Sequence, residues 1–158
     1  MQQMRQIREL IALATLAISA YTDIKERNIY TMPLIVSAAG AAVMSMIMLI
    51  CAPAGEECDI LLSELAGPAL VGALIIMTVR LLGKHMGEGD GYLLAALCMV
   101  TGIRESMITM AATAFTAFIY AGGYVTVGKI RGKRFYRDIP FAPFVMIGFV
   151  LVNVNGAF

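Results

Sequence analysis

Charge is scarce in this sequence: Asp, Glu, Lys and Arg make up 15% of its 158 residues, while 59% are hydrophobic. A soluble domain carries more charge, and a mean hydropathy of +0.80 places the chain in a membrane. The formal net charge is +1, so there is no whole-molecule field to hold nucleic acid. The one dense basic run, GKIRGKRFYR, lies between two apolar stretches. Histidine occurs once and cysteine three times, with no CxxC pair, which removes the usual donor sets for a metal. HExxH, GxSxG and GxxxxGK[ST] are all missing, and zinc-peptidase, serine-hydrolase and phosphate-loop chemistry go with them. No cofactor is expected. The first apolar stretch has no small-residue cleavage site before the chain turns charged at Asp23, so it reads as a retained span, not a removable signal peptide.

What is present is a series of uncharged runs at 10–22, 28–55, 65–79, 91–103, 106–128 and 139–158. They predict an all-α, polytopic integral membrane protein with six transmembrane helices, residues 1–158 forming a single membrane-embedded domain. Pro33, Pro68, Pro140 and Pro143 fall near the starts of these runs, where a missing N–H costs little. Basic residues set the orientation. Lys25, Arg27, Arg80, Lys84, Lys129, Arg131, Lys133, Arg134 and Arg137 follow spans one, three and five, and only Arg5, Arg8 and Arg104 fall on the other side. The first group belongs in the cytoplasm of a multi-pass protein of the inner (cytoplasmic) membrane. The acidic segment CAPAGEECDI then faces outward, where Cys51 and Cys58 could form a disulfide.

Asp23 ends span one and Asp90 begins span four, so this topology brings both acids to the cytoplasmic side. Their spans are also the shortest. Runs of 13 residues reach only about 20 Å, against a hydrocarbon core of ~30 Å, so both acids lie below the membrane surface. A carboxylate there costs roughly 2.5–3.5 kcal/mol. Two readings stand side by side. In one the acids are interfacial: Asp23 pairs with Lys25 or Arg27, and Asp90 caps span four. In the other they meet and share a proton, so that one activates a water while the other polarises a peptide carbonyl. The glycines of GEGDG, residues 87–91, favour the second reading by letting a peptide backbone or a second helix approach Asp90.

Three segments then make a set: YTDIKERNIYTMPL from residue 21, GEGDGYLLAALCMVTG from residue 87 and IPFAPFVMIGFVL from residue 139. In this order they resemble the landmark segments of the type IV prepilin peptidases, bacterial members of the GxGD intramembrane aspartic proteases. The resemblance implies a membrane aspartic endopeptidase with Asp23 and Asp90 as the catalytic pair. Its substrate would be a prepilin or pseudopilin precursor, cut on the cytoplasmic side just before its hydrophobic helix. Gly87 and Gly89 would shape the loop that lets Asp90 meet Asp23. The chain departs from the family at Tyr30-Thr31, where Pro-Asn is common, and at Tyr92, where a Lys is common; both positions bear on substrate preference. It also lacks the cytoplasmic CxxC insertion of the long form, and with it the basis for expecting N-methylation. The short stand-alone peptidases of tight-adherence (Flp-type) pili are the nearer likeness.

Lys25 and Arg27 are expected at lipid head groups, His85 in an exposed loop, and Phe141 and Phe144 near the acids without a catalytic part. Membrane lipid is an expected partner, and self-association into a homo-oligomer is left open. Two rivals remain: a small proton- or cation-coupled transporter using the paired acids, and a silent scaffold for pilus assembly.

Overall fold

The computed structural model describes residues 2–53, 55, 57–82, 87–130 and 140–156. Among these every regular element is helical: α1 (Gln2–Glu26), α2 (Thr31–Ile50), α3 (Glu57–Ile60), α4 (Gly67–Leu82), α5 (Glu88–Thr101), α6 (Ile103–Ile130) and α7 (Ala142–Gly156). A π-helical segment, Leu61–Ala66, joins α3 to α4. Three stretches, Thr31–Ile50, Cys58–Leu81 and Ile103–Thr126, are long and apolar enough to cross a membrane. Helix α1 is long but carries charge at both ends, while α5 and α7 are short. Large apolar side chains such as Met32, Val36, Leu70 and Phe118 lie exposed on the outer faces, a surface suited to lipid.

Helix α5 runs through the middle. Gly91, the run 93–98 and Val100 are buried, because α1, α2, α4 and α6 all pack against it. Leu16, Leu93, Leu97, Val100, Val145 and Phe149 form the centre of the core.

The third rod differs from the expected span. Its apolar stretch begins at Cys58 and not after Glu64, so Pro68 lies inside the rod instead of at its mouth. Proline cannot donate the usual i→i−4 bond, and the register is taken up just before it, where the Gly67 N–H reaches back five residues to Leu62 O. A Cβ on Gly67 would stand 2.5 Å from that oxygen. Glu64 is thereby carried inside the rod and hydrogen-bonds the buried Arg8, which also donates to Ser45 Oγ.

Arg5, Arg8 and Arg104, grouped by the sequence on one side, line a single cavity of about 790 Å³ together with Glu9, Glu64 and Glu105. Arg8 and Asp23 stand 15 residues apart on α1, roughly 22 Å, so this polar cluster and Asp23 occupy opposite ends of the helix. Cys51 and Cys58 are exposed free thiols, and Cys98 is buried. Lys84, His85, Arg131, Lys133, Arg134 and Arg137 lie outside the described residues.

Candidate active site

Asp23 sits one turn from the end of α1 and is only 8% exposed. The helix stops beyond it because Arg27 takes a left-handed conformation, φ 52°, while its N–H bonds Asp23 O at 3.1 Å. The Asp23 side chain turns inward: Oδ2 accepts the N–H of Ala142 at 2.9 Å. Ala142 is the first residue of α7, so its N–H has no partner within its own helix. A carboxylate 119 residues away fills that place, at the positive end of the helix dipole. The pairing with Lys25 considered from sequence is not what forms; the Lys25 ammonium lies over the Tyr21 ring, 5.6 Å from its centroid.

Asp90 stands in the first turn of α5, ahead of the apolar run and outside the three stretches long enough to cross a membrane. The N-cap position belongs to Gly87, and no side chain caps the helix, so the capping role considered for Asp90 is absent. Its own N–H bonds Gly87 O at 3.1 Å. Burial pushes the Asp90 carboxyl up from its ordinary 3.8 to about 6, and the nearby charge of Asp23 pushes the same way. The two acids predicted to meet are thus within electrostatic reach of one another.

The glycines around Asp90 face three different neighbours. A Cβ at Gly87 would stand 3.2 Å from Asp90 Oδ2, one at Gly89 would stand 3.1 Å from Ile29 Cβ, and one at Gly91 would stand 2.7 Å from Val79 Cγ2. Gly89 lets α5 close on the connection after α1, and Gly91 lets it close on α4. Sequence reasoning assigned the loop to Gly87 and Gly89 and counted Gly91 only as one of the three glycines of GEGDG, yet its approach is the tightest of the three. It also missed the Ala142 N–H, for which the only signal was the proline pair on either side of it. Pro143 is the second residue of α7 and needs no N–H there. Phe141 packs on the core, and the Phe144 ring meets Tyr120 at 5.2 Å.

Two further residues lie close to the acids along their helices. Ser19, one turn before Asp23 on the same face of α1, is buried and its Oγ has no partner among the described residues. Tyr92 Oη accepts from Arg80 Nη2 at 3.1 Å. No group of three or more metal-ligating side chains occurs among the described residues.

The fold and its apolar surface define an all-helical membrane protein with two acids gathered at one end of the bundle. Residues 10–122 match the model of the type IV leader peptidase family, and the chain belongs to that family. No curated protein and no solved structure matches it. The family makes the chain a protease with a prepilin-type substrate, not a transporter. The matched segment holds both acids and all three glycines, while Ala142 lies beyond it.

Proposed function

We propose that this protein is an aspartic endopeptidase that removes the leader of Flp-type prepilins or pseudopilins, with Asp23 and Asp90 as its catalytic pair. The observation that carries the reading is the contrast between the acids. Asp23 accepts a backbone N–H at the positive end of α7, while burial raises the Asp90 carboxyl to about 6, so that it keeps its proton to higher pH than an ordinary aspartic acid. Asp23 takes a proton from a water whose oxygen adds to the scissile carbonyl carbon. Asp90 donates its proton to the carbonyl oxygen, and as the C–N bond breaks a proton passes to the departing amine. Gly87 and Gly89 leave the space in which Asp90 faces its partner.

In this reading the chain is a single membrane-embedded domain with all six rods in the inner membrane. The short α5 opens at the cytoplasmic face, where Lys25, Arg27 and Arg80 stand near the acids and meet anionic head groups. Cleavage falls there, just before the hydrophobic helix of the substrate.

The test is co-expression of a prepilin with Asp23→Asn or Asp90→Asn. Asparagine matches aspartate in shape and at position 23 keeps an acceptor oxygen for the Ala142 N–H, so both variants remain in the membrane, yet precursor cleavage is lost. Normal processing by Asp90→Asn would refute the proposal.

A further inference from the structure

The cavity of about 790 Å³ at the end of the bundle away from the acids is walled by α1, α2, the π-helical segment, α5, α6 and α7. Its three carboxylates are already held. Arg5 binds Glu9 at 3.0 Å and Glu105 at 2.9 Å, and Arg8 binds Glu64. The hydroxyls of Ser63 and Thr101 donate to backbone oxygens one turn back, at Asp59 and Leu97.

What this accounting leaves over is donors. Arg104, exposed at the cavity wall, pairs with no carboxylate among the described residues. Arg8 is only 6% exposed; its Nη1 and Nη2 are engaged by Glu64 and Ser45, but its Nε has no acceptor among the described residues. The third set comes from the start of α6. Gly102 takes a left-handed conformation, φ 82°, which turns the chain from α5 into α6, and its oxygen accepts the Ser106 N–H at 3.2 Å. The N–H groups of Ile103 and Arg104 stand ahead of that bond, at the positive end of a 28-residue helix, with no partner within it.

A buried N–H without an acceptor is rare in a native protein, and here it shares a cavity with an unpaired guanidinium and a helix N-terminus. All three call for one chemistry, an oxyanion: the arginine fork matches phosphate oxygens, and helix N-termini hold phosphate. A cation would have to draw a carboxylate away from its arginine. Met48, Val100, Ile103 and Phe149 complete the lining, an apolar side suited to the glycerol and first acyl carbons of a lipid.

We propose that this cavity binds the phosphate group of a phospholipid, with Arg104 and the first turn of α6 as its outer donors and Arg8 behind them. The site lies roughly 22 Å from Asp23 along α1, and the inference is independent of the peptidase reading.

The test uses purified full-length protein in a phosphate-free detergent, titrated with a short-chain phosphatidylglycerol and with the matching diacylglycerol, which lacks the phosphate. Native mass spectrometry of protein released from the micelles counts the bound molecules. We expect one phosphatidylglycerol to bind at least tenfold more tightly than the diacylglycerol. Arg104→Gln should weaken it at least tenfold and Arg104→Lys by less than threefold. Lys25→Gln, an equal loss of charge at the other end of α1, should leave it within twofold. Inorganic phosphate is then added as a competitor: displacement of the lipid assigns the site to a free phosphate ion, and retention of the lipid assigns it to the head group. Equal binding of the diacylglycerol overturns the proposal, since acyl chains alone would explain it. Unchanged affinity in Arg104→Gln, or an equal loss in Lys25→Gln, overturns it as well, because the cavity would then contribute nothing beyond general surface charge.

Discussion

Gly91→Ala is the substitution whose consequence follows most directly from the geometry. The new Cβ would stand 2.7 Å from Val79 Cγ2, 3.1 Å from its Cβ and 3.2 Å from Cγ1, where contact between carbons is comfortable at ~3.5–4.0 Å. Val79 is buried and β-branched, so it has little rotamer freedom with which to retreat. Helices α4 and α5 must move apart by up to about 1 Å. Overpacking of this kind costs about 1–3 kcal/mol, and replacing a helical glycine by alanine returns about 1, for a net loss of about 0–2 kcal/mol. The protein stays folded, but Asp90, the preceding residue, shifts with its helix. A misplacement of ~1 Å costs on the order of 100-fold in rate, so cleavage falls far more than stability does.

Val79→Ala in the same chain removes both Cγ atoms and leaves only the 3.1 Å approach to Cβ. The double variant regains most of the activity, although Val79→Ala alone costs about 1–2 kcal/mol of packing. This sign reversal is the diagnostic, because independent sites would simply add. Both quantities are read on reconstituted protein, as kcat/KM for a prepilin and as the unfolding midpoint in micelles. Wild-type activity in Gly91→Ala, or a double variant no better than Gly91→Ala, would show that the α4–α5 approach does not set the position of Asp90.

Further outcomes follow from the acids and the far end of the bundle. Because the folded value of Asp90 lies above its ordinary 3.8, at about 6, the folded state holds the proton more tightly. Its contribution to stability therefore falls as pH rises from 3.8 through about 6, and is flat above. On the proposed mechanism Asp90 is the proton donor, so kcat/KM should decline above that range. Asp23→Asn removes the like charge and shifts the carboxyl titration of labelled Asp90 downward in a micelle NMR experiment; an unmoved titration refutes their coupling. At the opposite end, Arg8→Met strands the Glu64 carboxylate and removes one donor from Ser45 Oγ, which keeps its own bonds to Ala41 O and Glu64 O. Loss of one partner of a buried ion pair costs about 3–5 kcal/mol, and the one-third exposure of Glu64 puts the loss nearer 3, read by denaturation in micelles. Arg8→Met with Glu64→Leu recovers most of it, and cleavage is little changed in the variants that fold. Ser19→Ala removes a buried hydroxyl that has no partner among the described residues and raises the unfolding free energy by about 1 kcal/mol. A drop in cleavage instead would place that hydroxyl among the groups that order water at Asp23.

Charge scarcity made the site legible. In a chain with so few ionisable groups each position constrains topology, so Asp23 and Asp90 fell on one side by counting spans, and Arg5, Arg8 and Arg104 on the other. The same habit of treating charge as a boundary misplaced Glu64. A charge can enter a span when a partner on another helix meets it, and Arg8 lies 56 residues away. The Asp23 to Ala142 bond was hidden for a related reason: a backbone N–H has no residue signature, and its need for an acceptor shows only once α7 is known to begin there. Gly91 was counted with the glycines of GEGDG but given no role of its own, because it falls just outside the GxGD pattern while the need for it comes from the bulk of Val79 on a different helix.

These hidden contacts are the ones that position the two acids. Asp90 is placed by how closely α5 approaches the connection after α1, through Gly89, and α4, through Gly91. Asp23 is placed by α7, through the Ala142 N–H. Helix α7 in turn packs closely on α6: a Cβ at Gly148 would stand 2.6 Å from Thr113 Oγ1 and 2.9 Å from the Thr113 nitrogen. The second neighbour is backbone and cannot turn aside. Gly148→Ala should therefore push α7 off α6 and carry the Ala142 N–H with it, lowering cleavage although Gly148 touches neither acid. On the proposed mechanism Asp23→Asn has no cleavage to lose, so the helix displacement is read in that background from the amide resonance of Ala142. A Gly148→Ala variant that moves that resonance and leaves cleavage intact would show that α7 holds Asp23 without tuning it.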